Sequence, residues 1–197
     1  MKIYIREQIY DFKQYHDFLV KPLPETVYDI YAEDEDIEEF FISFFSELNQ
    51  FPLYVTYEWY DFDFDGMKER LDKLHLIYSH KFIPQNSVCT ITEEQGDTYL
   101  DVLIFTVKVT DENQLAEVVK KSLVPYHLFI ISNRDNVTFG EMYDQEDSVQ
   151  FKMNESTTFC KMQSDVPAAY LVTNQFKNMN NLLASFSEKI KVVKENE

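Results

Sequence analysis

Glycine is scarce in this chain, and its scarcity excludes several nucleotide-binding motifs. The 197 residues contain only Gly66, Gly96 and Gly140. Phosphate-binding loops and dinucleotide fingerprints need closely spaced glycines, because the backbone must approach the phosphates with no side chain in the way. These three glycines are too far apart for that, and none belongs to a GxSxG nucleophile elbow. The sequence therefore contains neither a phosphate loop nor the nucleophile motif of the α/β-hydrolases.

Cysteine and histidine are also few, and their spacing fits no metal site. Cys89 and Cys160 form no CxxC pair, and we interpret them as reduced thiols that pack as small hydrophobic groups. No HExxH motif occurs, and His75 and His80 are five residues apart where a helical metal pair needs four. The 35 acidic residues offer so many carboxylate pairs that no pair identifies a general acid and base. We therefore predict no catalytic residue and no cofactor, with an enzyme that lacks a recognisable motif as an alternative.

Long apolar runs are absent too. The N-terminal residues, MKIYIREQIYDF, place charges where a signal peptide needs a continuous apolar core. The longest fairly apolar stretch without a charged residue is 122–133. It falls well short of the roughly 18 apolar residues that a membrane span requires. We expect a cytoplasmic protein with no membrane-spanning segment.

Basic residues are outnumbered by acidic ones. The chain has 18 Lys and Arg against 35 Asp and Glu, which gives a formal net charge of −17. Binding to nucleic acid depends on Lys and Arg that neutralise phosphates, so this balance disfavours direct nucleic-acid binding. Adsorption to anionic membranes is disfavoured for the same reason. A basic protein partner or a cation is the complementary choice.

Apolar residues, by contrast, are plentiful. They make up 45% of the chain and include 17 Phe and 13 Tyr. Such a chain can bury enough surface to fold, so its high charge does not indicate disorder. Strand-like and helix-like patterns alternate without a linker or an internal repeat. We predict an α+β fold, a single domain over 1–197 with a mainly antiparallel β-sheet packed against amphipathic helices. A subdivision near 84–86 is the alternative.

The clearest helix prediction is Ile37–Leu48. Its apolar residues recur at i, i+3, i+4, i+7, i+8 and i+11, which draws a continuous stripe along one face. Asp36 and Glu39 have the spacing of a capping box at its start. Other helices are predicted at 9–19, at 67–78, at 111–123 with Asp111 as N-cap, and at 181–193.

The most aromatic strand prediction is 53–64. From residue 60 onward aromatic and acidic residues alternate strictly, which predicts one aromatic and one acidic face. The aromatic face would hold Tyr60, Phe62 and Phe64, and the acidic face Asp61, Asp63 and Asp65, with Gly66 ending the strand. Further strands are predicted at 2–6, 128–132, 137–142, 149–153 and 168–173, with 27–31 as a strand or an extended connector. The segments 87–92 and 98–110 are predicted as a hairpin, the second of them covered on both faces.

Residues 22–67 carry the most distinctive charge pattern. They hold 13 acidic residues and no Lys or Arg, although protein surfaces normally mix both signs. Acidic residues that repel one another lower the stability of the folded protein, so their concentration in one segment indicates a use in binding. We interpret the chain as an acidic protein–protein interaction module, an inhibitor or immunity-type protein that neutralises a basic partner such as a nuclease toxin or a nucleic-acid-binding enzyme. The predicted partner-binding residues are Asp34, Glu35, Asp36, Glu39, Glu58, Asp61, Asp63 and Asp65.

A regulatory or binding subunit that does not inhibit, and that binds calcium, is the alternative function. Residues 61–72 resemble an EF-hand or related DxDxDG loop, in which acidic residues at positions 1, 3 and 5 precede a glycine at position 6. Three departures weaken the resemblance: Asp72 stands where the loop needs Glu, Lys68 stands where it needs an apolar residue, and the preceding segment is predicted as a strand. We therefore favour an acidic strand face. The calcium ligands would be Asp61, Asp63, Asp65, Glu69 and Asp72.

Overall fold

A nine-stranded sheet forms the centre of the fold. The computed structural model describes residues 2–8, 19–21, 26–32, 37–48, 50–83, 88–92, 96–99, 102–123, 128–139, 149–162, 167–186 and 190–194. Within these ranges there are fourteen strands and four α-helices. The strands are β1 (Lys2–Gln8), β2 (Leu19–Lys21), β3 (Thr26–Ala32), β4 (Leu53–Trp59), β5 (Ile77–Ile83), β6 (Val88–Thr92), β7 (Gly96–Tyr99), β8 (Val102–Val109), β9 (Phe129–Ser132), β10 (Val137–Phe139), β11 (Val149–Lys152), β12 (Thr158–Met162), β13 (Ala168–Thr173) and β14 (Lys191–Lys194).

The large sheet is mostly antiparallel, and its strand order is β14-β1-β3-β13-β12-β9-β4-β8-β5. One pair in it, β1 with β14, is parallel, and every other neighbouring pair is antiparallel. A second sheet has the order β10-β11-β2, and β6 pairs with β7. The prediction of an α+β fold with a mainly antiparallel sheet is therefore confirmed, and the one parallel pair makes the large sheet a mixed one.

The helices are α1 (Ile37–Leu48), α2 (Phe64–Lys73), α3 (Glu112–Ser122) and α4 (Met179–Leu183). The prediction for α1 is confirmed, and its apolar stripe of Phe40, Phe41, Phe44, Phe45 and Leu48 is buried. At the start of α3 the Asp111 carboxylate accepts a hydrogen bond of 2.9 Å from the Gln114 backbone N–H, the N-cap that the sequence predicts. None of the described helices is long and apolar enough to cross a membrane.

The nine-stranded sheet has a hydrophobic core on each face. Leu103 and Phe105 of β8 pack in the same cluster as the helices, whereas Ile104 belongs to the cluster on the other face. The β10-β11-β2 sheet contributes to that second cluster, in which the rings of Phe151 and Phe159 stack at 3.8 Å. The prediction that the strand around β8 is covered on both faces is therefore confirmed.

Two predictions near residue 60 are wrong. Strand β4 ends at Trp59, a 3₁₀ turn spans Asp61–Asp63, and Gly66 lies inside α2. The predicted helix over 67–78 ends at Lys73, because His75 takes a left-handed backbone conformation with φ 53. The chain then forms β5 in place of the last helical residues.

The C-terminal helix prediction is also wrong. Within this range the described residues include the end of the short helix α4, at Leu183, and the start of strand β14, at Lys191. Strand β14 pairs with β1, so that Val192 lies beside Ile3. Consecutive β-branched residues, Val192 and Val193, favour a strand when a partner strand is available. Strand β12 has no counterpart among the sequence predictions.

The remaining predictions have mixed outcomes. Of the helix predicted over 9–19, the structure describes only the last residue, Leu19, which begins strand β2. The segment 27–31 is strand β3. The predicted hairpin of 87–92 with 98–110 becomes a β6–β7 pair, and β8 is a separate strand of the large sheet. Cys160 is buried with a free thiol.

Candidate protein-binding surface

The order of the strands brings the ends of β3 and β4 to the same edge of the large sheet. Four antiparallel steps separate β3 from β4, so these strands run in the same direction and end at one edge. We call the side of the sheet where β3, β4 and β5 end, at Ala32, Trp59 and Ile83, the upper edge. The opposite side, where β8 ends at Val109 and β12 begins at Thr158, is the lower edge. Helices α1 and α2 follow β3 and β4 along the chain. Their first turns, with Glu39 in α1 and Asp65 in α2, therefore lie at the upper edge.

Aromatic side chains gather at the β4–β5 end of the upper edge. The ring of Tyr60 stacks on Phe62 at 5.1 Å and contacts Trp59 at 5.5 Å. Phe64 contacts His80 at 4.8 Å and Phe82 at 5.3 Å. The buried rings of Phe105 and Tyr57 connect the two groups from below. We call this set the aromatic corner: Trp59, Tyr60, Phe62, Phe64, His80 and Phe82.

Three of the four exposed large hydrophobic side chains of the described chain lie at this corner, and the fourth, Ile77, lies at the lower end of β5. They are Phe62 (77% exposed), Ile77 (69%), Phe82 (40%) and Tyr60 (38%). Single exposed apolar residues are ordinary, but a group of them on adjoining elements marks an interaction surface. The Phe62 ring follows strand β4 but does not pack into the hydrophobic core as alternate residues of that strand do. Packing of the core therefore does not account for a phenylalanine at this position.

Asp63 holds the base of the corner together. Its Oδ2 accepts a hydrogen bond of 3.1 Å from Trp59 Nε1 and lies 3.4 Å from Arg70 Nη2. The Arg70 guanidinium in turn lies 5.7 Å from the centre of the Trp59 ring, within cation–π range. A Cβ on Gly66 would stand 2.1 Å from Asp63 Oδ1, so the missing side chain makes room for this carboxylate. Asp63 therefore positions Trp59, and Arg70 balances its charge.

The other predicted binding residues are distributed differently from the single acidic face that was expected. Asp61 is half-buried and Asp65 is exposed, and both flank Phe62 along the chain. Residues two apart in a helical turn point in different directions, so the three aspartates share no face. Glu58 is half-buried at the end of β4, with its Oε2 3.5 Å from the Leu128 backbone nitrogen. Glu39 is exposed on α1. Asp34, Glu35 and Asp36 lie outside the described residues.

The predicted calcium ligands lie on a 3₁₀ turn and a helix, and not on a loop that could wrap around a cation. Asp63 already bonds Trp59, Glu69 pairs with Lys73 at 2.7 Å, and Asp72 accepts a hydrogen bond of 2.9 Å from the Tyr78 hydroxyl. The hydrogen bond from Lys73 lowers the pKa of Glu69. Among the residues that the structure describes, no group of three or more His, Cys, Asp or Glu side chains is placed to hold a metal ion. The geometry gives the calcium alternative no support.

Sequence reasoning found the aromatic and acidic composition of this surface but missed strand β5. The signal was present in its alternation, because Tyr78, His80 and Phe82 share one face and Ser79 and Lys81 the other. Assigning Tyr78 to a helix concealed it. Helix α2 itself has no net charge, because it holds three acidic residues and three basic ones, Lys68, Arg70 and Lys73. The acidic excess of the corner therefore comes from Glu58, Asp61 and Asp63, which precede the helix.

Comparison of the chain with protein-family models, with curated proteins and with solved structures finds no match.

Proposed function

We propose that this chain is an acidic protein–protein interaction module that binds a basic protein through the aromatic corner. The observation that carries the proposal is Phe62, 77% exposed and stacked on Tyr60 between the carboxylates of Asp61 and Asp65. Protein interfaces concentrate their binding energy in a few aromatic anchors that a polar rim surrounds. The corner has that composition, with aromatic rings at its centre and acidic residues beside them.

The charge of the chain supports a basic partner. The net charge is −17, and residues 58–65 hold Glu58, Asp61, Asp63 and Asp65 without a Lys or Arg. Arg70 balances Asp63, and Asp61 and Asp65 stand on either side of Phe62 along the chain. A field of one sign raises the rate at which an oppositely charged protein associates.

We further propose that binding is inhibitory. Carboxylates that dock on a basic surface occupy the positions where phosphates of nucleic acid bind, because both are anionic oxygen acceptors for Lys and Arg. A nuclease or another nucleic-acid-binding enzyme is the partner class that fits this chemistry. Its cleavage or binding of nucleic acid, measured with and without the chain, tests inhibition separately from binding.

The first test concerns the anchor. The partner is captured from the native host with the wild-type chain, and its binding kinetics are then measured against variants. Phe62→Ala is expected to weaken binding about tenfold, mainly through faster dissociation, because truncating an anchor chiefly changes the off-rate. The fold remains intact, since Phe62 is largely exposed. Val193→Ala, a matched truncation on the partly exposed strand β14, leaves dissociation unchanged. Equal off-rates for wild type and Phe62→Ala would show that the corner is not the binding surface.

The second test concerns the charge. Asp61→Lys combined with Asp65→Lys is expected to slow association about tenfold at low salt, and the wild-type on-rate falls as salt shortens the Debye length to about 10 Å at 0.1 M. Glu112→Lys combined with Glu155→Lys makes the same change in net charge near the lower edge, at exposed positions. This control slows association less. Equal slowing by both pairs would mean that net charge acts without the corner, and an on-rate indifferent to salt would contradict steering altogether.

A further inference from the structure

Strand β5 ends the large sheet, and no described strand pairs with one of its two long sides, which we call its open side. Among the described residues it pairs with β8 alone, at the end of the strand order. Of its seven residues, five are exposed, Tyr78 is half-buried and Ile83 is buried. An exposed outer strand presents unpaired backbone N–H and C=O groups on which another strand can pair.

The hydrogen-bond pattern shows which backbone groups face the open side. The Glu58 N–H donates to the Leu128 carbonyl of the neighbouring chain segment at 2.9 Å, so the even-numbered residues of β4 bond toward β9. Directions alternate along a strand, so the odd-numbered residues of β4 bond toward β8. Their partners on β8 are odd-numbered, which leaves the even-numbered residues of β8 to bond β5.

Those residues of β8 pair with the odd-numbered residues of β5, for example Thr106 with Ser79 and Ile104 with Lys81. The backbone N–H and C=O groups of Tyr78, His80 and Phe82 therefore point away from β8. Three donors and three acceptors line the open side, next to the aromatic corner to which His80 and Phe82 also belong.

The surroundings of β5 favour a cationic strand over a second copy of this chain. Each copy carries −17, so two copies repel each other as they approach. Asp61 and Asp65 belong to the turn and the helix whose Phe64 contacts His80 and Phe82 of β5, and their charge attracts a basic segment.

A groove beside β5 offers room for alternate side chains of an added strand. Its volume is about 380 Å³. Ser79 and Lys81 line it on the sheet side, and Asp135, Val137 and Phe139 line it on the side of β10. Val137 and Phe139 offer apolar contacts to a β-branched side chain, and Asp135 supplies a carboxylate for a cation.

We propose that β5 binds an extended, cationic segment of the partner protein by strand addition, with main-chain hydrogen bonds to Tyr78, His80 and Phe82. The identity of the segment rests on the proposed function, whereas the main-chain geometry does not. Binding modes of this kind take their affinity from backbone hydrogen bonds and their specificity from the alternate side chains.

Residue-resolved amide hydrogen exchange on the whole chain tests the proposal. The probe is a blocked decapeptide of alternating Val and Lys, compared with the same peptide N-methylated at every residue, which has no N–H on either side. The amides of Tyr78, His80 and Phe82 are expected to exchange quickly in the free protein and about tenfold more slowly with the first peptide, because they become donors to it. The amides of Ser79 and Lys81 are protected in both states. The N-methylated peptide gives no protection.

Three results would overturn strand addition: no binding of the first peptide at about 1 mM, protection without alternation, or equal protection by the N-methylated peptide. His80→Pro provides a second measurement, because proline is tolerated on an edge strand where the N–H faces outward. This variant is expected to lose the peptide, whereas His80→Ala, which keeps the N–H, retains it. If His80→Pro does not fold, the comparison of the two peptides decides alone.

The captured partner separates this inference from the proposed function. Loss of the partner in Phe62→Ala, with full binding by folded His80→Pro, supports the aromatic corner and overturns strand addition. Loss in His80→Pro, with full binding by both Phe62→Ala and His80→Ala, supports strand addition and overturns the corner as anchor.

Discussion

Phe44→Ala is expected to lower the free energy of unfolding by about 3–5 kcal/mol, the usual cost of truncating a buried phenylalanine. The ring is fully buried. It lies 5.9 Å from Phe40, 5.4 Å from Phe45 and 5.3 Å from Phe186. Truncation removes apolar contacts and leaves a cavity that rigid aromatic neighbours fill poorly. Denaturant melts followed by circular dichroism measure the change.

Glu39→Ala on the same helix is the matched control. Its side chain is exposed, and exposed substitutions usually change stability by no more than about 0.5 kcal/mol. A loss of less than about 1 kcal/mol in Phe44→Ala would show that α1 does not pack against the sheet as described.

Helix α1 could be predicted from the sequence because one pattern decides it. Twelve residues keep their apolar positions at helical spacing, and no competing period of two runs through them. The N-cap of α3 was likewise predictable, since Asp111 stands directly before the first helical residue and the cap is a local hydrogen bond.

The boundary between β4 and α2 could not be predicted in the same way, because two periods overlap there. Tyr60, Phe62 and Phe64 alternate with aspartates as a strand does, while Phe64, Met67 and Leu71 follow helical spacing. The structure resolves the conflict in favour of the helix from Phe64 onward, with Met67 and Leu71 buried. Burial of that helical face outweighs the alternation before it.

Strands β5 and β14 depend on partners distant in sequence. Short strands take much of their stability from the neighbour with which they pair, and β14 finds its neighbour in β1, at the other end of the chain. The candidate surface has the same origin. Its aromatic and acidic residues can be read from the sequence, whereas their place beside an open strand follows from the order of the sheet.

Tyr57→Phe is expected to stabilise the protein, and increasingly so at alkaline pH. The Tyr57 side chain is fully buried, and its hydroxyl finds no hydrogen-bond partner within the described part of the chain. Removing an unpaired buried hydroxyl is favourable by about 1 kcal/mol. Burial also raises the pKa of Tyr57 well above its usual value, an effect larger than the opposing charge of Arg70.

The sign of the pH dependence follows from that raised pKa of Tyr57. In the unfolded chain the phenol loses its proton near pH 10, whereas in the folded protein it stays protonated, so alkali favours unfolding. The stability that Tyr57 contributes is complete below about pH 10 and is lost above it, by about 1.4 kcal/mol per pH unit. Tyr57→Phe is free of this loss, so its advantage over wild type widens above pH 10.

Urea melts of wild type and Tyr57→Phe from about pH 8 to pH 11.5 measure the difference. Burial also raises the pKa of the Cys160 thiol, so both proteins lose stability above the ordinary thiol value of about 8.5. Because both share that loss, subtracting one curve from the other isolates Tyr57. Parallel curves across the whole range would mean that the Tyr57 hydroxyl is accessible to water in the folded protein, and the stacked rings of Phe105 and Phe129 beside it would then not close the core at this point.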